Sequence, residues 1–475
     1  MFDTSARRRY SGAFLSRPLP DSDRNLIPPR IIMIMTLLGF APSAPLHASE
    51  GGVSLDVRKE VLENGLTVLM SPDPQAHTAS FMTFVNAGAR DELKEGTTGL
   101  AHVFEHMMFR GTKKFPSYDE VLAPLGPEVN ASTSKDMTVY FVNVPARALE
   151  RAMEVEADRF QMMTFTNETF RTELGAVREE RRRAYVDSPA GALYSRLYEK
   201  AFQLHTYHHP VIGWEEDLEK NMTYKDGLEF YRTYYAPNRA VLVAAGKFDP
   251  AWLMDQVRNR YGSWRRQPEP DGTVPGEPPQ QEERRERIVW KDDQVSPKLM
   301  IGYHGPRFTL DTPDYCALDV ISTLLFMRSQ RLTKRLYTDL QLVEEISGGI
   351  SGSKDPDLFI ISASLKKGKS LEEVERIIDE ELARLRDERV GERELAKAKN
   401  ALAASTLYSL DRPYSVARTL GYHQIVGGDY RLFFEAEKRY QTVTDEEIQA
   451  AARRIFRREN RTVIELVPKP SEPGS

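Results

Sequence analysis

Two histidines and a glutamate fall within five residues of one another in the stretch GLAHVFEHMMFRGT: His102, Glu105 and His106. Positions i, i+3 and i+4 share one face of an α-helix, so a single turn would carry both imidazoles and the carboxylate on the same side. Imidazoles one turn apart can each direct a ring nitrogen at one metal ion. Zinc accepts imidazole nitrogen and carboxylate oxygen, and a catalytic site uses three protein ligands with a position left for water. A carboxylate beside that water can take its proton, because the metal lowers the water's pKa. A third ligand is required, and the charged stretch FRTELGAVREERRRAYVDSP offers Glu173, Glu179 and Glu180. Glu180 lies seven residues, about two turns, from Glu173 and so shares its face. Glu179 is its neighbour, and register alone leaves it open. The single cysteine, Cys316, excludes an internal disulfide and any thiolate cluster, so a metal here would be held by His and carboxylates.

The elements that must position these groups are legible in outline. VRKEVLENGLTVLMS places two apolar runs around Asn64-Gly65, a hairpin signal. ASFMTFVNAGA reads as a buried strand leading into the H-x-x-E-H helix, and MTVYFVNVP as a strand rich in β-branched and aromatic residues. Helical periodicity covers Ala146 to Met163, and a charged helix is expected from about Asn167 to Tyr185. PNRAVLVAAGKFDP is a short β run closed by Gly246 and Pro250. The second half repeats this outline. PKLMIGYHGP precedes a helix near Asp314, and Asn460-Arg461 answers Asn238-Arg239. The same offset carries Glu180 onto Leu402 and His102 into the apolar LDVISTLLF, so only the first half keeps the polar cluster. A whole-domain duplication follows. The histidines of HTYHH read as packing or solvated groups, and His304 and His423, which have no partner pattern, read as structural.

At 475 residues the chain is too long for one ordinary core. Its expected parts are a leader (1–48), a metal-binding half (55–264), a Pro- and charge-rich linker (265–287), a second half without the cluster (288–468) and a tail (469–475). Apolar residues at 40% and charged residues at 28% indicate a folded protein. A net charge of −5 gives no footprint for nucleic acid. The leader has Arg30, an apolar run from Ile31 to Ala41 and small residues up to Ala48, the layout of a cleaved secretory signal. That run is shorter than the about 20 apolar residues a membrane span needs, so export to the periplasm or beyond is expected, with no stable anchor.

H-x-x-E-H reverses H-E-x-x-H and is the inverzincin signature. With a Glu-x6-Glu pair downstream it resembles the metallopeptidases that include pitrilysin, insulin-degrading enzyme and the mitochondrial processing peptidase. That resemblance implies an α+β fold of two homologous α/β-roll halves, each a mostly antiparallel sheet packed with helices. It implies one Zn2+ per chain held by His102, His106 and Glu180, with Glu105 as general base and Glu173 supporting the site. GPEVNASTSKDMTVY is similar to the family's substrate-binding edge strand, which implies that Asn130 and Ala131 meet an extended peptide by strand addition. Complete members also carry an Arg and a Tyr in the second half, within S-R-L and G-L-A-Y. Here Arg331-Leu332 remains, which implies a substrate-binding role for Arg331, but the tyrosine position falls near Glu344 or Glu345. The implied function is a zinc endopeptidase acting on extended peptides as a homodimer, or as a heterodimer with a paralogue that supplies the Arg/Tyr pair. The alternative is a non-catalytic assembly subunit of such a heteromer.

Overall fold

The computed structural model describes residues 55–470 apart from residue 271; the expected leader and the last five residues of the tail lie outside the described residues. The first sheet contains β1 (Arg58–Val61), β2 (Thr67–Pro72), β3 (Thr78–Val85), β4 (Glu128–Thr133), β5 (Thr138–Pro145) and β6 (Ala240–Gly246), in the order β1-β2-β6-β3-β5-β4. The second contains β7 (Arg284–Val289), β8 (Lys298–His304), β9 (Val343–Ile350), β10 (Leu358–Leu365) and β11 (Arg461–Val467), ordered β7-β11-β8-β10-β9. Removing β1 makes the two orders identical. In each, one pair is parallel, β2 with β6 and β7 with β11, and the other pairs are antiparallel. The duplication expected from the asparagine-arginine pairs is therefore a duplication of sheet topology.

The hairpin at Asn64-Gly65 joins β1 to β2, closing at Val61 and Thr67. Gly65 adopts φ 92°, which favours glycine. The Asn64 amide donates to the carbonyls of Tyr261 and Trp264 at 2.8 and 3.0 Å, fixing the turn on the end of the last helix of this half. β6 is buried along its whole length, which explains its unbroken apolar text. The charged helix runs over Asn167–Arg181 and is capped by the Thr166 hydroxyl, which accepts from Thr169 N. Beyond Arg181 the backbone widens into a looser turn over Arg182–Val186, so the α-helix ends short of Tyr185.

The halves are less separate than the sequence suggests. The Pro189–Ala201 helix of the first half packs on β8 and β11, where Leu193 and Leu197 meet Met300, Leu358, Ile464 and Leu466. In return the Pro413–Val426 helix of the second half lies on β3 and β6. Its Leu420 and Ala417 share a core with Leu69, Met82, Phe84 and Val243. Gly421 lies where a Cβ would enter the Phe84 ring, so the helix approaches the sheet as closely as backbone allows. The expected linker also shrinks, since Arg284–Arg287 already belong to β7. Its polar residues are bound rather than loose: Glu277 accepts the amides of Gln203, Leu204 and His205, and the buried Gln280 donates to Arg461 O at 2.7 Å. Among the described residues no helix is long and apolar enough to cross a membrane.

Candidate metal centre

His102, Glu105 and His106 lie on the Leu100–Met107 helix, which packs against the Asn167–Arg181 helix and β4. That packing brings Glu180 to the two histidines. His106 Nε2 is 3.2 Å from one Glu180 oxygen and His102 Nε2 is 3.7 Å from the other. One ligand atom from each of the three residues falls within 4.8 Å of the others. Ligands about 2.0–2.2 Å from a tetrahedral zinc are separated by about 3.5 Å, so the spacing fits. So does the chemistry. His102 is buried, and burial pushes its pKa below the usual value against the pull of Glu105 and Glu180. Among the described residues its Nδ1 is buried without a hydrogen-bond partner, while Nε2 faces the carboxylates. With the ring proton on Nδ1, the Nε2 lone pair faces carboxylates that cannot donate to it, and a divalent cation between them would satisfy Nε2. Burial raises the pKa of Glu180, but the hydrogen bond from His106 and the charges of His102 and His106 outweigh it and hold it below the usual carboxylate value.

The neighbouring groups divide by position. Glu105 approaches His102 Nε2 at 4.0 Å, and its carboxylate accepts the Thr133 hydroxyl at 2.7 Å. Thr133 ends β4, so the edge strand and the candidate base are directly joined. Glu173, only 3% exposed, sits between His106 Nδ1 at 3.6 Å and the Arg110 guanidinium. A carboxylate on Nδ1 favours the tautomer whose Nε2 lone pair faces the centre. Glu179 is exposed and paired with Arg182, outside the cluster.

The N-terminal end of the histidine helix is held from below. Gly99 N and Ala101 N each donate to a Glu92 oxygen at 2.7 Å, and Asp217 accepts from Thr98 N and its hydroxyl. Gly99 and Gly213, both with φ near 90°, lie against one another's strands of chain with no room for a Cβ. This seats the HHPVIG loop on the helix start. His209, in that loop, is 3.7 Å from Glu92, and burial pushes its pKa down to about 4. His205 is buried against Asp355 at 3.0 Å. His205 and His209 are buried and His208 is half-buried, and none of the three belongs to the His102–His106–Glu180 cluster.

Among the described residues β4 is an edge strand paired only with β5, with Asn130 opposite Phe141 and Ala131 opposite Tyr140. Asn130 is exposed, and its Oδ1 accepts the Ala131 amide at 2.9 Å. Arg331 lies outside the cluster and forks onto Glu394, with both bonds at 2.7 Å. Glu344 and Glu345 are exposed on β9. Thr133, Glu92 and Asp217 were not distinguishable in sequence, since none stands at helical spacing from the histidines, and Arg110, four residues after His106, was not singled out.

A duplicated sheet-and-helix fold in which one half alone carries an H-x-x-E-H helix defines the inverzincin class. Residues 67–214 match the profile described as Insulinase (Peptidase family M16), and residues 221–402 that of the Peptidase M16 inactive domain. The chain belongs to peptidase family M16. It is 26% identical over 92% of its length to the zinc protease PqqE of Helicobacter pylori, covering 98% of that protein. It is also 26% identical over 81% of its length to a probable mitochondrial-processing peptidase subunit beta of Arabidopsis thaliana, covering 73% of it. The crystal structure of a protease from Helicobacter pylori superposes with a TM-score of 0.81 at 25% identity, over 87% of this chain and all of that one.

Proposed function

We propose that this chain is a zinc-dependent endopeptidase that cleaves extended peptides or unfolded segments. The observation that carries the reading is the convergence of His102, His106 and Glu180 beside a Glu105 tethered to the open edge of β4. Zinc held by the three ligands would supply an acidified water and polarise the scissile carbonyl. The chain's own residues supply the rest. An extended substrate adds to β4, its backbone taking the Ala131 amide from the Asn130 side chain. Glu105 takes the proton of the attacking water and returns it to the departing amine nitrogen, held in line by Thr133. Glu173 and Arg110 fix the His106 ring.

The relatives' names support zinc and peptidase chemistry. The engagement of Arg331 by Glu394, and the acidic residues where a tyrosine is expected, favour a second chain, a copy or a paralogue, as the source of further substrate contacts. They equally keep a scaffold role in view. The leader supports a place outside the cytoplasm. Glu105→Gln should retain zinc by metal analysis and lose activity on an unstructured peptide by about 10²–10⁴-fold, while His102→Ala should lose both. Full activity in Glu105→Gln would sink the mechanism; a zinc-free wild-type protein would favour the scaffold.

A further inference from the structure

We infer that Glu92 is a positioning residue of the metal centre, setting the rotation and height of the histidine helix through the Gly99 and Ala101 amides. This rests on the zinc reading above. The Glu92 side chain is fully buried, and both its oxygens are spent on that one helix end, at 2.7 Å each. The first amides of a helix have no partner within it. Gly99 precedes the first helical residue and brings no side chain to cap them. The task falls to a carboxylate seven residues earlier, built into a different segment of chain.

Geometry gives this anchor its leverage. The helix is eight residues long, and His102 follows Ala101 directly, so a clamp on the Ala101 amide lies one residue from a ligand. Side-chain atoms about 5 Å from a helix axis move about 0.9 Å for each 10° of rotation. A two-point clamp on one carboxylate resists rotation as well as sliding. Asp217 on Thr98 and the Gly99–Gly213 contact close the same end from the other side, leaving the helix little play. An ordinary cap needs only one short polar side chain at the N-cap. Burial also pushes the Glu92 pKa up, with the Ala101 and Gly99 amides opposing it, so this carboxylate is held at a cost that simple capping does not require.

Glu92→Gln keeps the shape but turns an NH2 group toward one of the two amides. The zinc dissociation constant, measured by chelator competition, should rise about 10–100-fold, the range for groups that orient ligands from outside the coordination sphere. The visible spectrum of the cobalt-substituted variant should also differ from that of wild type. Leu382→Ala, buried in the second-half core, is the control for lost stability and should leave both readouts at wild-type values. Should the Gln variant not fold, Glu92→Asp, which keeps the charge and shortens the reach, should raise the constant several-fold. Wild-type affinity and cobalt spectrum in a folded Glu92 variant would overturn the inference while leaving the zinc reading intact. A wild-type chain that binds no zinc would instead overturn that reading.

Discussion

Thr133 is the residue through which substrate and base would communicate, since it ends the edge strand and donates to Glu105 at 2.7 Å. Thr133→Val keeps the shape and removes the donor. A hydrogen bond to a charged group contributes about 1.5–3 kcal/mol, so kcat should fall about 10–100-fold while zinc content and KM stay near wild type. Unchanged kcat would show that Glu105 is oriented by something else. The contrast between this residue and the histidines shows what the sequence carries at this scale. His102, Glu105 and His106 were legible because three positions on one helical turn share a face whatever surrounds them. Glu173 and Glu180 were legible as a pair two helical turns apart, with Glu180 chosen over Glu179 through the family resemblance, and the helix packing sends Glu179 to solvent. Thr133 lies 28 residues from Glu105 and Glu92 seven from Gly99, each across irregular chain, and no period links them.

Among the elements, strands were easier to place than partners. An unbroken apolar run marked β6, and a largely apolar one interrupted by Ser80 and Thr83 marked β3, because central strands are covered on both faces. What covers them was not written there. An amphipathic helix declares an apolar stripe but not the sheet that receives it, so the exchange of the Pro189–Ala201 and Pro413–Val426 helices between halves was invisible. The polar text at 265–287 likewise read as a spacer because it buries few apolar groups, although hydrogen bonds tie it down and its end is already β7. Gly421 tests the exchange. Gly421→Val places methyls where the Phe84 ring lies and should reduce unfolding free energy by about 1–3 kcal/mol, the usual cost of overpacking. In a Phe84→Ala background the same change should cost less, because the ring no longer competes for the space. Strictly additive losses in denaturant unfolding would mean the two groups do not compete and the helix has another seat in solution.

The whole molecule is closed by a meeting of equivalent turns. Ser134-Lys135-Asp136 joins β4 to β5, and Ser353-Lys354-Asp355 lies in the matching connection from β9 to β10. Lys135 pairs with Asp357 of the second half, and the backbone amide of Lys354 donates to Asp136 at 3.0 Å. Asp355 reaches back to Arg90 and His205 of the first half. Burial raises the Asp355 pKa, but the bonds from His205 and Arg90 outweigh it and hold it well below the usual carboxylate range. The sign follows from linkage. A carboxyl that is more acidic folded than unfolded adds stability above its unfolded pKa of about 3.9, and that contribution drains away as pH falls toward the folded value. Asp355→Asn should therefore be less stable than wild type at pH 7, and the gap between them should narrow from about pH 5 downward. The comparison is made by denaturant unfolding with a fixed excess of chelator, so that acid release of metal contributes to neither protein. A gap that stays constant from pH 7 to pH 3 would mean the Asp355 carboxylate does not carry the contact between halves, and the burden would pass to Lys135–Asp357.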